Sequence, residues 1–268
     1  MVSSLTTLSS VYGPIKSWRM GSSLGIDLIM DPSTCSFNCT YCQLGFIQRI
    51  TTERKIYVST KRVIQDFNVS NWKDADVITF SGSGEPTLAL NISEVIREIK
   101  LITESKKTIS ILTNGTMFNN PQVISDVMDA DLISVKLDAP DDETLRMINR
   151  PASEINLENI VLGIKALRKR FEGKMQLQIM FMPQNKNKIN ELVNLINEIK
   201  PDEIALNTPT RPYPSGWDMI TRGAHGKDIE KIKYATKSLK TLTKEEAIEI
   251  ENKLKELTNL PIISVYNN

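Results

Sequence analysis

The hydrophobic positions in the middle of the chain follow two alternating periods, one typical of buried strands and one typical of amphipathic helices. Short apolar runs rich in β-branched residues predict strands covered on both faces, whereas apolar residues spaced three and four apart predict helices. The predicted strands are Leu24–Met30, Asp76–Phe80, Thr108–Leu112, Leu132–Leu137, Met175–Met182 and Glu203–Leu206. The predicted helices are Lys61–Phe67, Ile92–Ile102, Gln122–Met128, Glu143–Ile148, Leu157–Phe171 and Ile189–Ile199.

Polar residues and prolines mark several helix ends. Asn91 followed by Glu94 predicts a capping box at the start of one helix, and Pro201 ends another. Thr243 and Glu246 have the same spacing and predict the start of a final helix. A further strand is predicted after that helix, at Ile262–Tyr266.

Strands and helices that alternate in this way predict a parallel sheet with right-handed crossovers. Six strands are fewer than the eight that close a full barrel, so a partial barrel or an open doubly wound sheet is favoured. In either arrangement, functional groups collect at the carboxyl ends of the strands. A motif that carries chemistry is therefore expected to begin where a strand ends.

The sequence changes character after about residue 207. The segment Thr208–Trp217 contains three prolines and predicts a loop. The following segment, Thr221–Lys240, has six basic and two acidic residues, a local charge of +4. We therefore predict a core domain with an N-terminal lead-in at residues 1–210, and a C-terminal extension at 211–268 that packs on it.

Composition and charge narrow the class of protein. The chain has 268 residues, 40% of them hydrophobic, with 33 Lys+Arg against 32 Asp+Glu and a net charge of +1. Such near-neutrality argues against a globally basic nucleic-acid binder. No apolar run approaches the roughly 20 residues that span a bilayer, and the first residues lack the order of a secretory signal. We expect a cytoplasmic protein without a membrane segment.

The three cysteines, Cys35, Cys39 and Cys42, lie within eight residues directly after the first predicted strand. An odd number in a chain of this size does not indicate a disulfide framework, whereas thiolates are soft ligands that select zinc, Cu(I) or iron–sulfur clusters. Four-iron clusters are usually held by four cysteines, so three would leave one iron open to a small molecule. The alternatives are inert buried thiols, or a zinc site completed by the single histidine, His225.

The spacing Cys-x3-Cys-x2-Cys, with Tyr41 just before the last cysteine, resembles the signature of the radical S-adenosylmethionine (radical SAM) enzymes. The resemblance implies an α/β fold, a partial (β/α)6-type parallel barrel with, in this chain, a short C-terminal α/β extension. It implies that the cysteines hold one 4Fe–4S cluster whose fourth iron binds the amino and carboxylate groups of SAM. An electron, expected from a ferredoxin or flavodoxin-type donor, then cleaves SAM to methionine and a deoxyadenosyl radical that abstracts a substrate hydrogen.

A glycine-rich segment, Ser81–Leu88, follows the second predicted strand. Radical SAM proteins have a Gly-Gly-Glu segment here that contacts the methionine amino group of SAM, which implies cofactor-binding roles for Gly84 and Glu85. This sequence departs from the pattern, since Ser83 stands where the first glycine would be. A plain strand-to-helix turn would explain the glycines but not the Glu-Pro pair.

Two further strand ends carry candidate SAM contacts. Asn114 follows the third strand, where the resemblance implies the SAM pocket, although Asn-Gly is also a turn signal by itself. Lys136 and Asp138 share one face of the fourth strand. Lys136 could neutralise the methionine carboxylate, and Asp138 could bond a ribose hydroxyl or meet substrate, so both are catalytic candidates. A salt-bridged pair at a barrel rim is the alternative.

Later positions give weaker signals. Gln176 and Gln178 would face the inside of a partial barrel, as would suit a substrate pocket, but a half-exposed edge strand explains them equally well. Arg211 is a candidate anchor for an anionic substrate or the SAM carboxylate and a third catalytic candidate, although loop arginines are usually solvated. His225 could donate a proton, yet a lone surface histidine is commoner. The resemblance adds Arg19 as a residue that lines the pocket.

The resemblance covers residues 11–215 and points to a subgroup of Fe–S oxidoreductases related to the wyosine-forming tRNA enzymes. Those enzymes carry additional cysteines for a second cluster, whereas all three cysteines of this chain are already used, so a second thiolate-ligated cluster is excluded. A tRNA nucleoside substrate fits the basic segment at 221–240, and a protein or small metabolite fits equally well. The rival hypothesis is a non-catalytic scaffold that binds zinc or an iron–sulfur cluster.

Overall fold

The computed structural model describes residues 8–209, 213–217, 222 and 235–266. Its strands are β1 (Val11–Ser17), β2 (Gly21–Ile26), β3 (Thr34–Cys35), β4 (Arg49–Ile50), β5 (Val77–Phe80), β6 (Thr108–Thr113), β7 (Leu132–Lys136), β8 (Lys174–Met180), β9 (Glu203–Asn207), β10 (Tyr213–Pro214), β11 (Thr236–Lys237) and β12 (Ile262–Ser264). Its α-helices are α1 (Thr60–Asn68), α2 (Ile92–Ile102), α3 (Pro121–Asp126), α4 (Asp142–Ile148), α5 (Leu157–Arg168), α6 (Ile189–Ile199) and α7 (Lys244–Leu257). Two 3-10 helices lie at Trp72–Asp74 and Pro86–Leu88.

One curled, open sheet forms the frame of the molecule, with strand order β1-β2-β5-β6-β7-β8-β9-β12. β1 pairs antiparallel with β2, and all later neighbours in the sheet pair parallel. Parallel neighbours need a crossover connection, and here helices supply it between most successive strands. The result is a half-barrel, which confirms the predicted partial parallel barrel with its C-terminal α/β addition.

The outer face of the half-barrel is apolar because the helices pack on it. The register of the parallel strands aligns Leu24, Ile78 and Ile109 in one row on this face and Ile111, Ile133 and Met175 in another, and all of them are buried. α2, α5 and α6 turn their apolar stripes toward the same core. Burial of an aliphatic side chain contributes roughly 1.5–3 kcal/mol, so this layer supplies most of the stabilisation of the fold.

The inner face of the half-barrel is polar. Polar residues of five strands lie on this face, and the register aligns Thr79 with Ser110 and Ser134 with Gln176. Ser23 lies on the same face of β2. Their side chains bond one another, as in Ser23 Oγ to Thr79 Oγ1 at 2.8 Å and Ser134 Oγ to Gln176 Oε1 at 2.7 Å. Gln176 and Gln178 therefore face inward as expected, and the sheet presents a polar wall on its concave side.

The observed elements differ from the predicted ones mainly at their ends. β1 is absent from the prediction because prolines and glycines interrupt its apolar pattern, and β2 ends at Ile26 rather than Met30. The capping box predicted at Asn91 is wrong, since the Asn91 side chain makes no cap hydrogen bond and instead donates to the Val58 carbonyl and to Thr60. The capping box of Thr243 and Glu246 is present.

The C-terminal elements join the main sheet and its helical layer. β12 pairs with β9, in agreement with the predicted last strand, and α7 buries Ile250 and Leu254. The predicted proline-rich loop contains the short strand β10, which pairs antiparallel with β11 further along the chain. Among the residues that the structure describes, no helix is long and apolar enough to cross a membrane.

Candidate radical SAM site

The cysteine loop leaves the carboxyl end of β2 and is fixed by backbone hydrogen bonds to neighbouring strand ends. β3, which contains Cys35, pairs with β4, and the Thr34 N–H donates to the Ser83 carbonyl at 3.1 Å. Further along, the Thr40 N–H donates to the carbonyl of Ile148 at 2.8 Å. The loop is thus held between the glycine-rich turn after β5 and the end of α4, at the carboxyl edge where chemistry was expected.

All three cysteines are free thiols in low-dielectric surroundings. Burial raises the pKa of Cys39 to about 12 and also raises the pKa of the Cys35 and Cys42 thiols, while the charge of Lys136 acts in the opposite direction on Cys39 and Cys42. Amide groups point at two of the sulfurs: Asn114 Nδ2 lies 3.5 Å from Cys35 Sγ, and Asn149 Nδ2 lies 3.4 Å from Cys39 Sγ. Such donors stabilise sulfur that carries negative charge, and metal binding would displace the thiol protons.

The donor set consists of three soft thiols that are near enough for Cys39 and Cys42 to raise the pKa of Cys35. Thiolates select zinc, Cu(I) or iron–sulfur clusters, so the residues present fit an iron–sulfur group. Within the described residues, no three cysteine, histidine or carboxylate side chains are arranged to hold a single metal ion. His225, the candidate fourth ligand for zinc, lies outside the described residues.

Glu85 is a buried carboxylate at the carboxyl end of β5. Its Oε1 accepts from the hydroxyls of Thr87 and Thr113, both at 2.6 Å, and its Oε2 accepts from the Asn114 N–H at 2.7 Å. Burial raises the pKa of Glu85, and these hydrogen bonds oppose that effect. Glu85 therefore ties the glycine-rich turn to the end of β6, and the contact with SAM stays a prediction.

Asn114 joins the glycine-rich turn to the cysteine loop. Its N–H binds Glu85, and its Nδ2 donates to Ser36 Oγ at 2.8 Å beside Cys35. Its Oδ1 accepts from the N–H and hydroxyl of Thr116, at 3.1 and 2.8 Å. The structure thus brings Gly84, Glu85 and Asn114 together within one network next to the first cysteine.

Tyr41, Lys136 and Asp138 meet on the other side of the cysteine loop. The Tyr41 hydroxyl donates to Asp138 Oδ2, which also accepts from Asn149 Nδ2 at 2.7 Å, while Asp138 Oδ1 accepts from the Met180 N–H at 2.8 Å. Lys136 Nζ lies 4.9 Å from the Tyr41 ring centroid and 3.8 Å from Asp138 Oδ2. Asp138 is buried and bonded within the protein, so its predicted contact with ribose or substrate stays a prediction.

Three charged side chains that the sequence indicated weakly or not at all make long-range contacts in the half-barrel: Arg19 from the amino edge of the sheet, and Asp27 and Arg222 near the cysteine loop. Arg19, from the β1–β2 turn, reaches across the half-barrel, and its Nη1 donates to Gln178 Oε1 at 2.9 Å. Asp27, directly after β2, accepts from Ser83 of the glycine-rich turn, and Arg222 Nη1 lies 2.8 Å from the same carboxylate. One signal for Asp27 was present in the sequence, an acidic residue inside the apolar run Leu24–Met30.

Several buried oxygen atoms around the site have no hydrogen-bond partner among the described residues. Asn149 Oδ1 and Thr40 Oγ1 lie by the cysteine loop, and Ser110 Oγ and Asn207 Oδ1 lie on the inner face of the sheet. Buried polar groups are normally paired, so these atoms are exceptions within the described part of the chain. Arg211, the third catalytic candidate, lies outside the described residues.

Residues 31–196, which include the whole cysteine loop, match the sequence model of the Radical SAM superfamily. A UPF0026 protein of Synechocystis is 45% identical over 222 residues, which is 82% of this chain and 83% of that protein. A Brachyspira hyodysenteriae protein named GTPase Obg is 38% identical over 75% of this chain, but the match spans only 30% of its own length.

Among solved structures, the structure of TYW1 with a lysine-pyruvate adduct bound resembles the fold with a TM-score of 0.60 and 16% identity. The match covers 89% of this chain and 75% of that one. Identity at this level shows that the fold is shared. The shared region includes the half-barrel and, from its extent, much of the C-terminal addition.

Proposed function

Since this chain belongs to the Radical SAM superfamily and is an enzyme of that class, we propose that it holds one 4Fe–4S cluster and uses it to cleave SAM reductively. When bound, the cluster supplies the electron that converts SAM to methionine and a deoxyadenosyl radical, which takes a hydrogen atom from the substrate. The observation that carries the proposal is the placement of Cys35, Cys39 and Cys42 beside Glu85 and Asn114 at the carboxyl edge of the sheet.

The cysteines bind the cluster, and the surrounding amides stabilise the charge on its sulfur ligands. Asn114 and Asn149 each direct an N–H group at a cysteine sulfur. Hydrogen bonds to ligand sulfur and the burial of the site are the means by which proteins adjust the reduction potential of iron–sulfur clusters. The three protein ligands leave one coordination position for SAM.

The methionine end of SAM would bind to four residues of the site, Tyr41, Gly84, Glu85 and Lys136. Glu85 is the carboxylate near Cys35, and it would pair with the SAM ammonium group. Lys136 carries the positive charge near Cys39 and Cys42, and it would pair with the SAM carboxylate. The Tyr41 ring packs against the Lys136 ammonium and so keeps it at this position.

The concave face of the half-barrel is the proposed substrate site. Polar groups on it, among them Gln178 and the unpaired oxygens of Ser110 and Asn207, would orient a substrate beneath the SAM site. Arg19 spans this face from the first hairpin and restricts access of water to it.

The electron comes from a partner of the ferredoxin or flavodoxin class, and the edge of the cysteine loop is its proposed docking site. Ile50 is 45% exposed and pairs through β4 with Cys35, and Phe46, 44% exposed, follows Cys42 closely. Arg49 lies between them and pairs with Glu53 at 3.2 Å, so the edge carries both charges. An exposed apolar edge one backbone hydrogen bond from a cluster ligand suits a small electron carrier.

A tRNA nucleoside as substrate stays a hypothesis from the sequence. It depends on the basic segment at 221–240, of which the structure describes residues 222 and 235–240. Binding of RNA through that segment would weaken steeply with salt, because phosphate contacts release counterions. A protein or metabolite substrate would lack that dependence.

The test is anaerobic reconstitution of the full chain with iron and sulfide, followed by SAM and a strong reductant. We expect about four iron and four sulfide per chain, together with formation of 5′-deoxyadenosine. Cys39→Ala should lose cluster assembly and all 5′-deoxyadenosine, because one of three protein ligands is missing. Ser70→Ala, a small change far from the loop, is the matched control and should keep both.

One zinc ion without sulfide in the purified protein would contradict the cluster and favour a metal-binding scaffold. An intact cluster that yields no 5′-deoxyadenosine from SAM would contradict the catalytic proposal.

A further inference from the structure

Asp27 is a fully buried carboxylate that organises two turns at once. Its Oδ1 accepts from the N–H groups of Ile29 and Met30, both at 3.0 Å, where the chain turns from β2 toward the cysteine loop. Its Oδ2 accepts from the N–H and the hydroxyl of Ser83, at 3.0 and 2.6 Å. Met30 has a φ of 61°, a left-handed conformation that costs energy in a side-chain-bearing residue, and the bonds from Asp27 stabilise it.

Arg222 neutralises this carboxylate from the C-terminal part of the chain. Its Nη1 lies 2.8 Å from Asp27 Oδ2, its Nη2 donates to the Ser9 carbonyl at 2.9 Å, and its guanidinium lies 4.7 Å from the ring centroid of Tyr12. The side chains are 6% and 0% exposed for Arg222 and Asp27. Removal of one partner from a buried pair of this kind strongly destabilises the folded protein, because the remaining buried charge has no opposite charge beside it.

The glycine-rich turn is shaped around this pair. A Cβ at Gly82, which has a φ of 140°, would lie 2.4 Å from Asp27 Cγ, and a Cβ at Gly84 would lie 1.7 Å from the Thr34 carbonyl oxygen. Both glycines are therefore required by close backbone approach inside the protein. Ser83, the residue that departs from the radical SAM pattern, is the one that bonds Asp27 through its hydroxyl.

Tyr12 completes the surroundings of the pair. Its hydroxyl is 2.8 Å from Ser81 Oγ, at the start of the same turn. The four side chains Tyr12, Asp27, Ser83 and Arg222 thus connect the first hairpin, the end of β2, the glycine-rich turn and the C-terminal extension. We call this set the Asp27–Arg222 clasp.

We propose that Arg222 is a positioning residue for SAM: through Asp27 and Ser83 it holds the glycine-rich turn, with Glu85, in the conformation that binds the methionine end of the cofactor. The inference rests on the proposed function, since it assumes that this turn contacts SAM. It makes SAM affinity depend on the C-terminal extension, and it gives Ser83 a role in this chain that a glycine cannot perform.

The experiment measures SAM binding by equilibrium dialysis on the anaerobically reconstituted full-length protein, with iron content and thermal unfolding measured on the same samples. Arg222→Met keeps the length of the side chain but removes its charge and donors. We expect the dissociation constant for SAM to rise about tenfold, as for other residues that orient ligand-binding groups, with iron content unchanged. Arg222→Lys should have a smaller effect, because it keeps the positive charge beside Asp27. Some affinity should still be lost, since one ammonium cannot bond Asp27 and Ser9 together.

Two further variants separate positioning from general stability. Arg97→Met, which alters an exposed arginine on α2, should leave SAM affinity at the wild-type value. Ser83→Gly removes only the hydroxyl bond to Asp27 and should weaken SAM binding by a smaller factor than Arg222→Met. In turnover, the KM for SAM should rise with little change in kcat.

Wild-type SAM affinity in an iron-loaded Arg222→Met protein would overturn the proposal. The proposal would also be overturned if both Arg222→Met and Arg222→Lys lost iron to the same extent as they lost SAM binding. That result would show that Arg222 stabilises the whole site and does not position the SAM-binding turn. If Arg222→Met does not fold, Arg222→Lys and Ser83→Gly decide: wild-type affinity in both overturns the proposal. Failure of the wild-type holoprotein to bind SAM would instead contradict the proposed function.

Discussion

Two buried carboxylates, Asp27 and Glu85, lie on either side of the glycine-rich turn, and each is bonded to several protein donors. Asp27 binds Ser83 and Arg222, whereas Glu85 binds Thr113 and the N–H of Asn114. The turn between them contacts both the cysteine loop and the end of β6. At the scale of single residues, the site is held by charge-assisted hydrogen bonds in a region from which water is largely excluded.

Replacement of Glu85 by alanine should leave the cluster in place and weaken SAM binding about tenfold or more, because it removes one charge-assisted contact and the partner of the Asn114 N–H. Iron content and SAM affinity of the reconstituted protein provide the measurement. Glu85→Gln, which keeps the size but not the charge, should show most of the loss in affinity. Glu98→Ala, on the exposed face of α2, is the control. Unchanged SAM affinity in Glu85→Ala would remove this residue from the site.

At the scale of elements, two helix starts show that a capping motif in the sequence forms a cap only where tertiary contacts do not bind the N-cap side chain. Thr243 and Glu246 form their capping box at an exposed turn, where Glu246 Oε2 accepts from the Thr243 N–H. Lys186 Nζ binds the other carboxylate oxygen, Oε1, at 2.6 Å and so leaves the cap intact. Asn91 has the same spacing to Glu94, but its amide binds the Val58 carbonyl and the Thr60 hydroxyl, which also donates to Glu94. The tertiary contact between the segment before α1 and the start of α2 thus replaces the cap.

The first strand is attached to α1 by one carboxylate. Asp66 accepts from both the N–H and the hydroxyl of Ser10, at 2.8 Å each, and from Arg62 Nε at 2.9 Å. Burial acts to raise the pKa of Asp66, but these hydrogen bonds outweigh it and hold the pKa below its ordinary value. Folding therefore favours the ionised form of Asp66.

Asp66→Asn should lower the free energy of unfolding at neutral pH by about 1 kcal/mol, the usual contribution of such bonds. Because the folded pKa is depressed, this stabilisation is complete well above pH 4 and is lost as the pH falls through the folded pKa. Denaturant unfolding at a series of pH values should thus show wild type and variant converging in acid. Asp129→Asn, at an exposed site, is the control. A constant difference across the pH range would contradict the assignment.

At the scale of the whole molecule, one apolar core connects the half-barrel with the C-terminal elements. Leu242, Ile250 and Leu254 belong to the same buried cluster as Leu24 and Ile26 of β2. β12 extends the main sheet by pairing with β9. We propose that the boundary predicted at residue 210 marks a change in sequence character within one core, and that the extension unfolds together with the rest.

Leu254→Ala tests this proposal. Leu254 is fully buried, so the truncation should cost about 2–5 kcal/mol and shift a single unfolding transition of the whole protein. Thermal unfolding followed by both circular dichroism and tryptophan fluorescence provides the measurement. Leu257→Ala, three residues on and 41% exposed, should change stability little. Two separate transitions, with only one shifted by Leu254→Ala, would show an independent C-terminal domain.

The sequence by itself determined a parallel α/β sheet, the approximate positions of its six central strands and the cysteine motif, and the resemblance carried by that motif selected the partial barrel over an open sheet. Those features depend on the local periodicity of apolar residues and on the spacing of cysteines within one loop, and both are visible in the amino-acid sequence. It also indicated that Gly84, Glu85 and Asn114 lie at one edge, since each follows a strand of the same parallel sheet.

The tertiary structure alone decided which polar groups meet across long sequence separations. Asp27 and Arg222 are 195 residues apart, and Tyr41 and Asp138 are 97 apart, yet each pair is buried and bonded. Nothing in the neighbourhood of either residue specifies its partner, because a hydrogen bond depends on distance and direction between atoms, and these exist only once the strands are paired and curled. The same reason explains the failed cap at Asn91, whose amide binds Val58 and Thr60, residues 33 and 31 positions away in the sequence.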